Sequence, residues 1–442
     1  MSHGKRHCRR LCRTDLSASG GGFIPCNRIS LLHNGSAYFP AIEAAFDRAQ
    51  YEIYLETYIY EDDVIGQRIA VALGRAAQRG VTVHVLIDGY GSKDLAQSML
   101  DSLRTSGVET LIYRPHISPW TFRRGRLRRM HRKVVVVDRE IAFVGGVNII
   151  ADSASSDMLP RYDYAVAVEG PLVDVIRLSA QRLWSAVSWR HFRKRKIRDG
   201  ALPASAFTGG GMRAAFLMRD NFHHRRDIEA AYLQAIREAE SEIILAHAYF
   251  LPGLEFRHEL MRAARRGVQV VLLLQGKIEY PLEYYASRAL YGNLLDAGIE
   301  IYEYPTSFLH AKVAVIDGHW ATVGSSNIDP FSLLLSNEAN VVVDDEPFGA
   351  ALAQSLKKTV ATDGYRIMAD NWKQQPVGLR FIGWLSYGLL RLMQGISGYA
   401  RTDGQAENHE RKDNNASSRT TTILQFCWKR IFCGNDKRYL LK

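Results

Sequence analysis

Two stretches of the chain, "HRKVVVVD" from His131 and "HAKVAVID" from His310, carry the same spaced residues: a histidine, a lysine two positions on and an aspartate seven positions on. An imidazole is a nucleophile and a proton carrier near neutral pH, and an ammonium is a compact charge suited to a phosphate oxygen. Brought together, His131, Lys133, His310 and Lys312 make a cluster fitted to a phosphodiester. The lysines would neutralise the non-bridging oxygens while one histidine attacks phosphorus and the other protonates the leaving alkoxide. Asn148 and Asn327 each fall 17 positions after their histidine, and with Ser325 they could add hydrogen bonds to the phosphate. This chemistry needs no metal or cofactor, and the chain shows no carboxylate cluster suited to Mg²⁺.

The elements that must carry these residues can be read from pattern. "KVVVVD" and "KVAVID" are strands by their β-branched content, and side chains alternate across a strand. His131 and Lys133 therefore share a face, as do His310 and Lys312. Asp138 and Asp317 fall on the odd offset, and "VIDG" reads as a hairpin turn, so both aspartates are expected to close turns behind the site. His247, in "LAHAYF", lacks the doubled context and is read as a core histidine.

Larger blocks repeat in the same order. "YEIYLETYIY" (51–60) matches "SEIILAHAYF" (241–250), "AAQRGVTVHVLIDG" (76–89) matches "AARRGVQVVLLLQG" (263–276), and "TSGVETLIY" (105–113) matches "DAGIEIYEY" (296–304). The histidine stretches follow, then "IAFVGGVNI" and "WATVGSSNI". Each half predicts alternating helices and buried apolar strands, which is an α/β layer. The expected fold is two homologous α/β halves, each a mixed, mostly parallel sheet flanked by helices, packed about a pseudo-twofold axis. The halves span 28–200 and 201–375, meeting in the linker-like "RDGALPASAFTGGGM".

The chain has 442 residues, 47% of them hydrophobic and 23% charged, a globular composition with enough length for a core in each half. Its net charge of +11 favours anionic partners, either nucleic acid or an anionic membrane. The five cysteines all lie at or before Cys26 or at or after Cys427, so the core folds without disulfides. Cys8, Cys12 and Cys26 lie near His3 and His7 but lack an evident fourth zinc ligand. Residues 1–27 read as a basic, flexible extension and 401–442 as a disordered basic tail. No apolar run reaches the length of an ordinary spanning helix.

The doubled His-x-Lys-x4-Asp followed by Gly-Gly or Gly-Ser and Asn resembles the phospholipase D superfamily. Within it, "ETYIYEDD" (56–63), "MHRKVVVVDREIAFVGGVNI" (130–149) and "FLHAKVAVIDGHWATVGSSNIDPFSLLLSNEANVVV" (308–343) are similar to bacterial cardiolipin synthases over roughly residues 28–375. The resemblance implies transfer through a phosphohistidine, with His131 as nucleophile and His310 as general acid and then base. It also implies that Asp163, in "RYDYAVAVEG", and Glu338, in "LLSNEANVVV", orient the histidines. "NIDPFS" follows the second motif and "NIIADS" the first, so the two sub-sites are expected to differ.

Three features favour lipid as the substrate. Arg123, Arg124, Arg126, Arg128 and Arg129 precede His131. "RHFRKRKIR" (190–198) contains Arg193, Lys194, Arg195 and Lys196. The interrupted apolar segment 376–400 places Phe381, Leu385, Leu389, Leu392 and Ile396 on one helical face, as in a helix lying in a membrane interface. The expected activity joins two phospholipids into cardiolipin, from phosphatidylglycerol with a second phosphatidylglycerol or phosphatidylethanolamine. The resemblance further implies peripheral attachment to the bacterial inner (cell) membrane at its cytoplasmic face. Phospholipid hydrolysis is the same chemistry with water as acceptor. Cleavage of nucleic acid phosphodiesters is the alternative of a different class, and Trp120 and Phe122 beside the arginine loop suit it.

Overall fold

The computed structural model describes residues 22–115, 129–151, 160–190, 207, 209–220, 224–329 and 336–396. The expectations for Arg123, Arg124, Arg126, Arg128, Arg193, Lys194, Arg195 and Lys196, and for nearly all of 1–27 and the whole of 401–442, lie outside the described residues.

The first half runs β1 (Ile24–His33), α1 (Asn34–Arg48), β2 (Glu52–Thr57), α2 (Val64–Gln78), β3 (Thr82–Asp88), α3 (Gln97–Thr105), β4 (Glu109–Tyr113), β5 (Arg129–Met130), β6 (Val134–Val137), β7 (Ile141–Gly145), β8 (Tyr164–Glu169) and α4 (Leu172–Arg190). The second follows as β9 (Met212–Arg219), α5 (Asp227–Glu238), β10 (Glu242–His247), α6 (Leu254–Arg265), β11 (Gln269–Gln275), α7 (Pro281–Arg288), α8 (Tyr291–Asp296), β12 (Glu300–Tyr304), β13 (Lys312–Ile316), β14 (Trp320–Gly324), β15 (Ser336–Asp344) and α9 (Glu346–Asp363). β16 (Tyr365–Arg366), α10 (Ala369–Lys373) and α11 (Val377–Ile396) complete the described chain.

Both halves share one sheet, in the order β16-β12-β11-β10-β13-β14-β15-β9-β1-β8-β7-β6-β2-β3-β4. Apart from the added β16, the order reads as the same series outward from the β9–β1 junction, which is the signature of a twofold relation. The sheet is mixed, as expected, but the balance is not mostly parallel. On this path only β2-β3-β4 and β10-β11-β12 pair in parallel. The strands around each histidine motif form hairpins and meanders, which are antiparallel by construction.

Strand alternation divides the apolar residues between cores. Val134 and Val136 of β6 enter a cluster that also contains Ile176 of α4, Val313 and Val315 of β13, and Leu352 and Leu356 of α9. Val135 and Val137 enter another with Ile42, Phe46, Ile69 and Leu73 of α1 and α2. The first cluster draws on both halves, so burial at roughly 25 cal/mol per Å² of apolar surface acts across them. α2 starts where the Asp63 carboxylate accepts the backbone N–H groups of Ile65 and Gly66, and α9 where Asp345 accepts from Phe348.

The described residues up to 277, with 292–373, form one compact unit, and 278–291 with the described part of 374–442 form a second. In the second unit Gly383 of α11 lies close to Tyr285 and Ala289, near α7. Val377, Phe381, Trp384, Leu385 and Leu392 of α11 are exposed. Leu389, expected on that face, is half-buried. Among the described residues no helix is long and apolar enough to cross a membrane. Cys26, at the head of β1, is disulfide-bonded, while the chain between it and Cys427 contains no cysteine.

Candidate active site

Each histidine motif is held in register by a strand of the opposite half. β5 pairs in parallel with β15, and the His131 backbone N–H donates to the carbonyl of Asn337 at 3.0 Å. Tyr162 and Leu309 form the matching parallel bridge, and the His310 N–H donates to the carbonyl of Tyr162 at 2.8 Å. One residue further along each supporting strand stands a carboxylate. Glu338 lies 3.0 Å from His131 Nδ1, and Asp163 lies 2.6 Å from His310 Nδ1. A carboxylate at Nδ1 favours a proton there and turns Nε2 of each ring to the reaction.

The lysines sit deep. Lys133 is 2% exposed and Lys312 fully buried. Lys133 Nζ donates to the carbonyl of His131 at 2.9 Å, and Lys312 Nζ donates to that of His310. The Tyr58 ring meets the His131 imidazole edge-on at 4.8 Å and lies 5.4 Å from Lys133 Nζ. Asn148 is buried, with Oδ1 accepting the Ile59 N–H at 3.1 Å, and Asn327 is buried at the matching place.

The charges act on one another across the two halves, which puts the four motif residues in one site. Burial pushes His131 down, with Glu338 opposing and both lysines reinforcing the shift. Burial holds His310 well below the usual histidine range, helped by Lys312, Lys133 and Arg161. Lys133 is pushed down to about 7 by burial, with the Lys312 charge adding to the shift. Burial lifts Asp163 to about 6 against the pull of Lys312 and Lys133. A phosphate anion between the two lysines would relieve this concentration of positive charge.

Asp138 and Asp317 occupy the hairpin turns in the left-handed region, with φ of 53° and 50°. Each carboxylate gathers the N–H groups of a segment entering a neighbouring strand. Asp138 takes Gln50, Tyr51 and Glu52 at 2.8–2.9 Å, and Asp317 takes Glu240, Ser241 and Glu242 at 2.8–2.9 Å. They fasten the motif hairpins to β2 and β10.

Ser325, expected on the phosphate, is turned to Glu338. It is buried, its hydroxyl donates to Glu338 Oε2 at 2.5 Å, and it accepts the Ala339 N–H at 3.0 Å. The matching residue of the first half is Gly146, where a Cβ would fall 2.3 Å from Asp163 Oδ1. The two carboxylates are therefore supported differently. Arg219 is the register partner of Glu338, whereas the Asn34 side chain accepts the Asp163 N–H at 3.0 Å. Arg129, expected at the lipid surface, is buried, with Nη1 3.6 Å from Asp88. His247 is fully buried, and burial pushes it down to about 3, as befits a core histidine.

Pattern reasoning missed the residues that hold the strand just before each histidine. Asp88 accepts the Met130 N–H at 2.9 Å, and Gln275 accepts the Leu309 N–H at 3.1 Å. Their signal was present as the single polar residue ending each apolar run, in "LIDG" and "LLQG". Arg132 was missed too. It forms a buried ion pair with Glu56 at 2.9 Å.

The chain matches a family model described as cardiolipin synthase, PLD-like domain, over residues 42–184 and 232–360. It is 43% identical over 347 residues to cardiolipin synthase B of Escherichia coli strain K12, covering 76% of this chain and 81% of that protein. It is 29% identical over 379 residues to cardiolipin synthase 1 of a Staphylococcus epidermidis strain, covering 84% of this chain and 74% of that protein. Among solved structures, phosphatidylserine synthase of Haemophilus influenzae Rd KW20 aligns with a TM-score of 0.63 at 13% identity, over 89% of this chain and 99% of that one, a likeness of fold.

Proposed function

The chain belongs to the phospholipase D-like cardiolipin synthase family, and from that premise we propose that its paired histidines move a phosphatidyl group from one phospholipid to a hydroxyl of another. The product is cardiolipin. The observation that carries this reading is the crossed support of the site, in which each imidazole is held at Nδ1 by a carboxylate of the opposite half beside two buried lysines.

In the first step His131 Nε2 attacks the phosphorus of phosphatidylglycerol. The bond from phosphorus to the glycerol oxygen breaks, and His310 Nε2 gives its proton to that oxygen. Glycerol leaves, and the phosphatidyl group is bonded to His131. In the second step a hydroxyl of another phosphatidylglycerol passes its proton to His310 Nε2 and attacks phosphorus. The phosphorus–nitrogen bond breaks and cardiolipin departs. With phosphatidylethanolamine as donor the first leaving group is ethanolamine. Lys133 and Lys312 carry the non-bridging oxygens through both steps, with Asn148 and Asn327 as further donors.

The unequal carboxylates support this division of roles. Glu338 faces a hydroxyl donor and has an arginine as register partner, an arrangement suited to stabilising the positive phosphohistidine ring. Asp163 at Nδ1 of His310 keeps one ring proton there and leaves Nε2 to give and take the proton of the leaving and entering oxygens.

Phospholipid substrates require a membrane surface. We propose that the chain works peripherally on the cytoplasmic face of the bacterial inner membrane, with the apolar face of α11 as its contact. The test is incubation of the purified protein with phosphatidylglycerol vesicles, with and without phosphatidylethanolamine, and products read by mass. Trapping the adduct and mapping the modified peptide checks the roles. Cardiolipin with label on His131 is expected; label on His310 reverses the roles, and cleavage of single-stranded DNA in place of lipid overturns the reading.

A further inference from the structure

The acceptor in this reaction is itself an anion. Its own phosphodiester does not react, yet it must come within one glycerol unit of the phosphorus being transferred. Two phosphates that close repel each other. The two buried lysines serve the reacting phosphate, so the second phosphate needs cations of its own. They must lie on the His310 flank, where the acceptor hydroxyl gives up its proton.

Arg161 stands two residues before Asp163, and Phe308 two before His310. Alternation puts each on the face of its catalytic neighbour, and the Tyr162–Leu309 bridge sets the two strands side by side. The Arg161 guanidinium lies 5.9 Å from the centre of the Phe308 ring, and Lys277 Nζ lies 5.8 Å from the same ring. All three side chains are half-buried. Lys277 donates to the carbonyl of Thr306 at 3.0 Å. Among the described residues the Arg161 guanidinium makes no hydrogen bond or ion pair, and Lys277 makes no ion pair. The Arg161 charge reaches both Asp163 and His310.

The first half is built differently at the same places. Arg129 takes the position of Phe308, Tyr90 that of Lys277 and Ser336 that of Arg161. Arg129 lies 5.4 Å from the Tyr90 ring, so cation and aromatic have exchanged strands. Its guanidinium is 3.6 Å from Asp88 and donates to the carbonyl of Arg114 at 3.3 Å, so its charge is answered within the protein. Among the described residues, the His310 flank offers two cations that make no ion pair, and the matching places of the first half do not.

We propose that Arg161 and Lys277, on either side of Phe308, form the subsite for the unreacting phosphate of the acceptor phospholipid. The inference rests on the transfer reading above. The subsite selects an anionic lipid over water or a neutral alcohol as acceptor, and it makes the two halves of the site unequal in charge although their catalytic residues match.

The test uses the full chain on phosphatidylglycerol vesicles with ethanol present as a neutral competing acceptor. Cardiolipin and phosphatidylethanol then arise from one phosphohistidine, and their ratio isolates the choice of acceptor. In Arg161→Gln and in Lys277→Gln the ratio of cardiolipin to phosphatidylethanol is expected to fall about tenfold, the scale of one charge-assisted contact, and further in the double variant. Arg161→Lys is expected to keep more of the ratio than Arg161→Gln. A ratio unchanged in the double variant, whatever the total activity, overturns the subsite. Absence of cardiolipin from the wild-type reaction, with phosphatidylethanol still formed, overturns the transfer reading itself.

Discussion

His131 Nδ1 lies 3.0 Å from Oε1 of Glu338, a residue 207 positions further along the chain and in the other half of the repeat. His310 is held in the same way by Asp163, 147 positions before it. Neither half contains a complete histidine–carboxylate pair, because the imidazole and the carboxylate at its Nδ1 come from different copies of the repeat.

Replacing Glu338 by Gln keeps the shape and removes the charge that supports a positive His131 ring. Transfer is expected to fall by about 10²- to 10⁴-fold, the range for losing the orienting carboxylate of a catalytic histidine. Adduct trapping should show less label on His131 in proportion. A variant with full activity would remove Glu338 from the mechanism. Circular dichroism of the same sample checks that the fold is kept.

Gly146 has no room for a side chain, since a Cβ would sit 2.3 Å from Asp163 Oδ1 and 2.5 Å from Oδ2. Gly146→Ala must push the Asp163 carboxylate off His310. A displacement of about 1 Å at a catalytic group costs roughly a hundredfold in rate. The expected result is that loss in turnover with a melting temperature only a few degrees lower. Ser325→Ala, at the matching place, removes a donor to Glu338 without a clash, and its loss of turnover should be the smaller of the two.

Asp138 is 5% exposed and accepts three backbone N–H groups. Asp138→Ala leaves those donors without their carboxylate. The loss of stability is expected to be about 3 kcal/mol or more, measured by the midpoint of urea unfolding. If the midpoint does not move, the aspartate does not fasten the hairpin to β2.

The pH dependence follows from two shifted groups. Asp163, lifted to about 6, is a carboxylate above that value and becomes neutral below it, so it stops accepting the Nδ1 proton that orients the His310 ring as the pH falls through 6. Lys133, pushed down to about 7, is an ammonium below that value and loses its charge above it, so phosphate binding weakens as the pH rises through 7. The profile of kcat/KM, which reports the free enzyme, is expected to be a narrow bell between these limbs. Lys133→Arg keeps its charge at any of these values and, although weaker overall, should lose the alkaline limb.

Much of the architecture was legible in local pattern. The doubled blocks revealed two α/β halves, because the buried-strand and helix periods recur at matching offsets. The hairpin reading of Asp138 and Asp317 rested on turn chemistry, which acts within a few residues. The parallel share of the sheet was overread, since apolar runs report burial on both faces and not the direction of the neighbouring strand.

The sequence by itself determined the chemical parts: two histidines, two lysines, two carboxylates and a repeat that presents each set in the same local frame. Tertiary structure decided which parts meet. β9 joins β1, β5 lies along β15, and Tyr162 bridges to Leu309, so each histidine is carried to the other half's carboxylate. Such pairings depend on which strand edges close on one another across more than a hundred residues. Periodicity along a strand states which face a side chain takes but carries no record of the strand that will lie beside it.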